Sequence, residues 1–440
     1  MVMLSQDLHG TLLGLRSVPG QITAIILAAG RSTRFGDLHK ALPEPQGAGL
    51  LGRAVKVFEP LGLRRLIVVT GFREEEVTGE ALNFGLLTVH NDDFDLGMFS
   101  SVQTGLRGAG PGSAVLILPV DGAFVHSQTV LALISLWRFM PASERDEAVV
   151  FPVYGGQTGH PPLLGQKVRK KIINADRTNL RDALAALMPT RLAEAFVNGL
   201  APEEPPETGP FRFLSRPDEG LLTDIDTPED FVQAQERKIV LEDWPKAEDL
   251  WTLLELVDPG PWVKRHSLAV ARGALRLGLA LNEVCPKGDV CPEFGFLGGL
   301  IHDVDRSSKN HEIKAKDRLT ALGWPELATI VGEHKDLTWP IEQDKWRQPV
   351  LYGAMCLYLA DKFFMENNPV TLEERFGVKI NSFKADEKAV RKAKARLNIA
   401  QGTENWFRQK LRQEPLSVLT RPSNSPLEEL ADCLEKLIGL

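Results

Sequence analysis

Between Ile22 and about Val153, short apolar runs rich in Val, Ile and Leu recur along the chain: ITAIIL, RLIVVT, GLLTVH, AVLILPV and AVVFPV. Runs of this length predict buried strands, and the amphipathic segments between them predict crossover helices. Strands covered on both faces and joined through helices make a mostly parallel sheet, so an α/β Rossmann-like fold is expected for the N-terminal half. The pattern closes with LLTDIDTPEDF at 221–231. There a short strand is expected to meet a helix whose first turn carries Thr227, Pro228, Glu229 and Asp230. Residues 201–210, APEEPPETGP, predict a surface excursion.

After about Arg237 the period changes. Leu- and Ala-rich stretches such as RHSLAVARGALRLGLALN and DKWRQPVLYGAMCLYLADKFF repeat at the helical spacing, so an all-helical second half is expected. The junction falls at about 237–247, which divides the chain into an N-terminal extension (1–21), an α/β domain (22–240) and a helical domain (241–440). Residues 371–440 read as helical packing around the second core, with AVRKAKAR near 389 as a solvated face.

Composition narrows the partners. The 440 residues are 43% hydrophobic and 25% charged, an ordinary globular mixture. With 51 basic against 58 acidic side chains the net charge is −7, so nucleic acid is not an expected partner. No apolar run is long enough to span a bilayer, so no membrane partner is expected. The four cysteines Cys285, Cys291, Cys356 and Cys433 are too dispersed for a disulfide scaffold, and a reducing cytoplasmic location is expected.

The first candidate chemistry follows the first strand. Leu27, Ala28, Ala29 and Gly30 lead into Arg31, Ser32, Thr33, Arg34, Phe35 and Gly36, and then Lys40. Small residues at a strand-to-helix turn let backbone N–H groups approach phosphate oxygens, while Arg31, Arg34 and Lys40 supply positive charge. A tight βα turn with exposed basic residues is the structural alternative.

Four further segments accompany LAAGRSTRFG in the same order: HNDDFDLGMFSSV (90–102), LPVDGAFV (118–125), TGHPPLL (158–164) and LTDIDTPEDF (222–231). Together they resemble the MobA-like nucleotidyltransferases, and among these the molybdenum cofactor cytidylyltransferases, over about residues 22–236. The resemblance implies that Asp121 and Asp226, the latter at the end of the closing strand, hold Mg²⁺. It implies that Leu27, Ala28, Ala29, Gly30, Arg31, Arg34, Lys40, Gly97 and Ser101 bind the nucleotide, with Met98 and Ser100 beside them. Capping is an equal alternative for each serine. Gly159 and His160 would lie near the acceptor, and Arg34 and Lys40 would act in catalysis. The implied reaction moves CMP from CTP onto a small phosphorylated acceptor, molybdopterin, and expels pyrophosphate. A molybdoenzyme or its chaperone is then an expected partner. Two departures stand out: three residues rather than two separate Gly36 from Lys40, and the usual proline is absent from DGAF. Relatives of this fold also activate sugar phosphates and other acceptors, so that class stays open.

The helical half presents His266, His302 with Asp303, His311, His334 and Asp361 in that order. The order resembles the HD-domain metal-dependent phosphohydrolases over about residues 260–365. The resemblance implies that His266, His302, Asp303 and Asp361 bind one divalent ion (Mn, Fe, Co or Zn), with Asp303 catalytic and His311 and His334 available for a second ion or for substrate phosphate. Arg306 and Lys309 are candidate phosphate ligands or a solvated helix end. An alternative of another class is a nucleotide-sensing or docking protein in which one half is catalytically silent.

Overall fold

The computed structural model describes residues 22–32, 39–42, 49–112, 114–236, 244–337 and 348–438. The extension 1–21, part of the expected junction and Arg34 lie outside the described residues. The described residues fall into two compact units, one ahead of residues 237–243 and one after them.

The first unit is built on one sheet. Its strands are β1 (Ile22–Leu27), β2 (Leu66–Thr70), β3 (Leu87–His90), β4 (Ala114–Pro119), β5 (Val149–Tyr154), β6 (Gln157–Thr158), β7 (Leu163–Leu164) and β8 (Phe211–Ser215). They lie in the order β3-β2-β1-β4-β7-β5-β6, with β8 pairing β5. Pairings among β1 to β4 are parallel, as is β5 with β8, whereas β7 runs antiparallel between β4 and β5. Every residue of β1 and β4 is buried, because helices cover both faces. Ile25 and Leu27 point to one side, where they pack with Phe99, Val102 and Leu106 of the Met98–Gly108 helix. The Leu50–Phe58 and Ser127–Phe139 helices pack together elsewhere on the unit.

The closing segment differs from expectation. No strand forms over 221–226; a 3-10 turn, Glu219–Leu222, leads into irregular chain. Ile225 is buried and its N–H reaches Asp121 O at 3.2 Å, one bond to the end of the sheet instead of a ladder. Asp226 therefore follows a turn, not a strand. The last strand is β8, just after the surface excursion, and alternation was obscured there because Arg212 is buried within it.

The second unit centres on the Pro261–Val284 helix, which packs against Pro292–Ile301, Gln348–Lys362, Pro415–Thr420 and Pro426–Ile438. Gly299 makes the closest crossing: a Cβ there would stand 2.5 Å from Ala271 Cα. The unit is not entirely helical. Phe364–Met365 and Asn368–Pro369 pair as a short antiparallel hairpin, with Glu366 at φ 57° in its turn. A pattern this short carries no period of its own, so the helical signal on either side masks it.

Candidate functional site

The carboxyl ends of β1 and β4 are adjacent although β2 and β3 intervene in sequence, so the chain leaves β1 toward one edge and β4 lies on the other side. Such a switch point opens a crevice that neither crossover fills. Leu27, Ala28 and Ala29 are buried there. Ala28 N–H donates to Val69 O at 2.9 Å and Ala29 O accepts from Phe72 N at 3.1 Å, which pins the turn to β2. Gly30 is exposed. His39 secures the returning chain: its Nδ1 accepts from Ala41 N–H at 3.3 Å, which leaves Nε2 to donate to Gly30 O at 2.9 Å. Burial pulls the His39 pKa down, in keeping with this neutral form.

Lys40 Nζ meets Asp121 Oδ2 at 2.7 Å, joining the basic turn after β1 to the acidic turn after β4. The chain at 224–226 lies against the same point through the Ile225 bond. Asp224 is raised above the usual carboxylate range, first by loss of water around it, then by the like charges of Asp121 and Asp226, with Lys40 opposing. Asp226 N–H and Thr227 N–H donate to Asp230 Oδ2 at 3.1 and 2.8 Å, while Thr227 Oγ1 accepts from Asp230 N at 3.2 Å. This cap fixes the backbone that presents Asp226.

Arg31 is engaged elsewhere. Its guanidinium makes two 2.7 Å bonds to Asp95 and stands 5.1 and 5.3 Å from the Phe72 and Phe94 ring centroids. The pair ties the β1 turn to the segment before Gly97. Gly97 has φ 100° and begins the Met98–Gly108 helix. Ser100 and Ser101 both accept from Asn91 Nδ2, at 2.9 and 3.0 Å, and Ser101 is buried, which gives these hydroxyls a structural task. Gly159 and His160 line a cleft of about 460 Å³ together with Leu27, Met98, Asn179 and Arg181. Burial lowers the His160 pKa against the pull of Ile117 O and Asp121.

The helical unit brings its predicted residues into one cluster. His266, His302, Asp303, His334 and Asp361 are buried, and His311 is partly so. Asp303 faces two ways. Its Oδ2 lies 3.6 Å from His302 Nε2 and 4.0 Å from His266 Nε2. Its Oδ1 lies 3.3 Å from His311 Nε2 and 3.8 Å from His334 Nε2. Asp361 Oδ1 stands 3.2 and 3.9 Å from the Nε2 atoms of His266 and His302. Two groups of three donors within 4.8 Å thus share Asp303, and among the described residues these are the groups that meet that spacing. Among the described residues, the acids of the first unit form no such trio.

The histidine tautomers follow from the backbone. His266 Nδ1 is 2.6 Å from Glu366 O, His302 Nδ1 is 2.9 Å from Gly299 O, and His334 Nδ1 is 2.6 Å from Val331 O. A carbonyl only accepts, so each Nδ1 carries hydrogen; in His302 and His334 the neutral ring then turns its Nε2 lone pair toward the cluster, while His266 Nε2 faces Asp361 Oδ1 at 3.2 Å. Burial lowers the pKa of His302 and pulls His334 down to about 3. His302 Nε2 is buried without a hydrogen-bond partner. For Asp361, burial would raise the carboxyl, but Lys362 and Arg375 outweigh it and hold the group well below the ordinary range.

Residues 24–195 match the family model described as the MobA-like NTP transferase domain. The N-terminal half carries a MobA-like NTP transferase domain. Over 219 residues the chain is 29% identical to the molybdenum cofactor cytidylyltransferase of Escherichia coli (strain K12), covering 49% of this chain and 96% of that protein. It is 37% identical over 109 residues to the bifunctional protein GlmU of Rhizorhabdus wittichii, 24% of each chain. A nucleotidyl transferase from Methanothermobacter thermautotroptrophicus overlays at a TM-score of 0.38 and 21% identity, covering 48% of this chain and 95% of that one.

Within the MobA-like domain, four residues at the crevice escaped the motif reading. His39 and Asn91 organise loops, Asp224 joins the acidic corner, and Arg181 enters the cleft. Asp224 had a visible signal, the alternation of acid and apolar residue in TDID. Arg181 had none, since an exposed arginine on a helix is ordinary.

Proposed function

We propose that the MobA-like domain transfers CMP from CTP to the terminal phosphate of a molybdopterin-type acceptor, releasing pyrophosphate, and that the helical unit hydrolyses phosphate esters with a bound transition metal in the manner of HD-domain enzymes. The observation that carries the first part is the 2.7 Å contact between Lys40 and Asp121 at the β1/β4 switch point. The similarity over nearly the full length of the cytidylyltransferase supports the nucleotide and acceptor.

The acidic corner fits Mg²⁺ by its donors: Asp121, Asp224 and Asp226 are hard carboxylates crowded enough to raise one of their number. Mg²⁺ there supplies charge neutralisation on the phosphates. The chain's own part is alignment. Lys40 offers a fixed cation to the phosphate oxygens, and the turn pinned by His39 and Val69 holds its approach. The cleft beside Gly159, His160 and Arg181 seats the acceptor with its phosphate toward that cation.

In the helical unit, the orphaned His302 Nε2 and the three Nδ1 atoms anchored on backbone carbonyls fit a divalent transition metal. His266, His302, Asp303 and Asp361 would hold it, with His311 and His334 completing a second position through the other oxygen of Asp303. Such an ion supplies hydroxide near neutral pH. Arg306, 3.3 Å from Asp303 Oδ1, is placed to orient a phosphate at the cluster.

The test is pyrophosphate release by the full chain with each nucleoside triphosphate and with molybdopterin or sugar phosphates as acceptors. CTP with molybdopterin is the expected active pair. Asp121→Ala should lower release by ~10²-fold or more, while bound transition metal per chain stays unchanged. Undiminished release in that variant overturns the transferase site. His302→Ala that keeps its metal overturns the hydrolase site.

A further inference from the structure

The cleft of about 570 Å³ that opens onto the histidine cluster has a second wall made by residues 371–411, a region to which the motifs assign nothing. That wall brings Arg375 and Lys379 from the Leu372–Ser382 helix and Arg396 from the Glu387–Leu411 helix. Six cations line the cleft, these three with Arg306, Lys335 and Lys362, against Asp303, Asp361 and Glu366.

The cations divide by what already neutralises them. Arg306 pairs with Asp303 at 3.3 Å, and Lys362 and Arg375 pair with Asp361 at 2.6 and 3.2 Å, so these three sit at the cluster itself. Lys335 and Arg396 pair with Glu312 and Asp336, which are not cluster residues. Lys379 has no carboxylate within ion-pair distance among the described residues. Burial of Lys379, and after it the charges of Arg375 and Lys362, pull its ammonium down to about 8. A single phosphoryl group at the cluster would answer the first set of cations, leaving Lys335 and Arg396 to their own carboxylates and Lys379 with no anionic partner among the described residues.

We infer that this cleft takes a ligand with two or more linked phosphoryl groups, one at the histidine cluster and the next held by Lys379, Lys335 and Arg396. The inference rests on the hydrolase reading and adds the substrate class to it. Charge-assisted contacts from Lys and Arg are the usual means of selecting a second phosphoryl group, since each linked phosphate adds acceptors at a fixed spacing.

The test uses the full chain loaded with Mn²⁺ and titrated calorimetrically with inorganic phosphate and with methylenediphosphonate, a diphosphate that does not hydrolyse. The diphosphonate should bind at least ~10-fold tighter than phosphate, a ratio of the size expected for one further charge-assisted contact pair. Lys379→Ala and Arg396→Ala should each reduce that preference several-fold, with metal content unchanged. Because neither variant alters the MobA-like domain, any binding there cancels between wild type and variant. Equal affinity for the two probes, or a preference untouched in both variants, overturns the inference while the metal site stands. A chain that retains no transition metal overturns the hydrolase reading, and this one with it.

Discussion

Lys379 and the cluster histidines show how a side chain's chemistry depends on neighbours distant in sequence. His266 owes the anchoring of its Nδ1 to Glu366 O, a residue 100 positions away at the turn of a hairpin. Lys379 owes its lowered pKa to packing and to Arg375, Lys362 and Arg306, with Asp361 opposing, while Arg396 lines the same cleft. The sign follows directly. An anion binds the ammonium form, which is present below a pKa of about 8 and lost above it. Diphosphonate affinity should therefore fall as pH rises through about 8, and Lys379→Arg, whose guanidinium stays charged, should flatten that fall relative to wild type. Parallel pH profiles for the two proteins would show that Lys379 does not contact the ligand. The histidines and aspartates themselves were legible from sequence as residue types in order; their protonation states were not, because no local pattern encodes which carbonyl will meet each Nδ1.

Elements matter through how closely they approach. The Pro292–Ile301 helix ends one residue before His302 and must lie against the Pro261–Val284 helix for His302 and His266 to reach a common point. Gly299 permits this, since a methyl there would collide with Ala271 backbone at 2.5 Å. Gly299→Ala should force the helices apart and lower transition-metal affinity by ~10-fold or more, the scale seen when support around metal ligands is disturbed, with the loss of stability typical of overpacking, about 1–3 kcal/mol. Unchanged metal affinity by competition with a chelator would show that the crossing does not set the site. Long elements were readable: the apolar runs became β1 to β5, and the helical period of the second half held outside the hairpin. The two-residue strands β6 and β7, β8 with its buried arginine, and the irregular 221–226 segment were not, because their form is set by pairing and packing, not by local period.

At the scale of the molecule, the two units are built on different physics, one on a sheet covered by helices and the other on helix crossings around a polar cluster. Each has its own core, so thermal unfolding of the full chain should show two transitions. Restoring one or two equivalents of Mn²⁺ to chelator-treated protein should raise the transition of the helical unit by roughly 2–4 kcal/mol, because imidazole and carboxylate donors are already placed there in the folded state. The transition of the MobA-like domain should move far less without nucleotide. A single transition, or equal shifts in both, would refute this separation in scanning calorimetry.

The amino-acid order alone determined the alternation of strands and helices, the change of period near the middle, and which acids, imidazoles and bases stand ready for phosphate chemistry. Those are properties of a few neighbouring positions, and short-range periodicity records them. Only the tertiary structure decided that β1 and β4 lie side by side so that Lys40 meets Asp121, that Asp303 offers one oxygen to each of two groups, and that helices beyond residue 371 complete the second cleft. Those contacts join residues tens to hundreds of positions apart, and their distances are fixed by how whole cores pack.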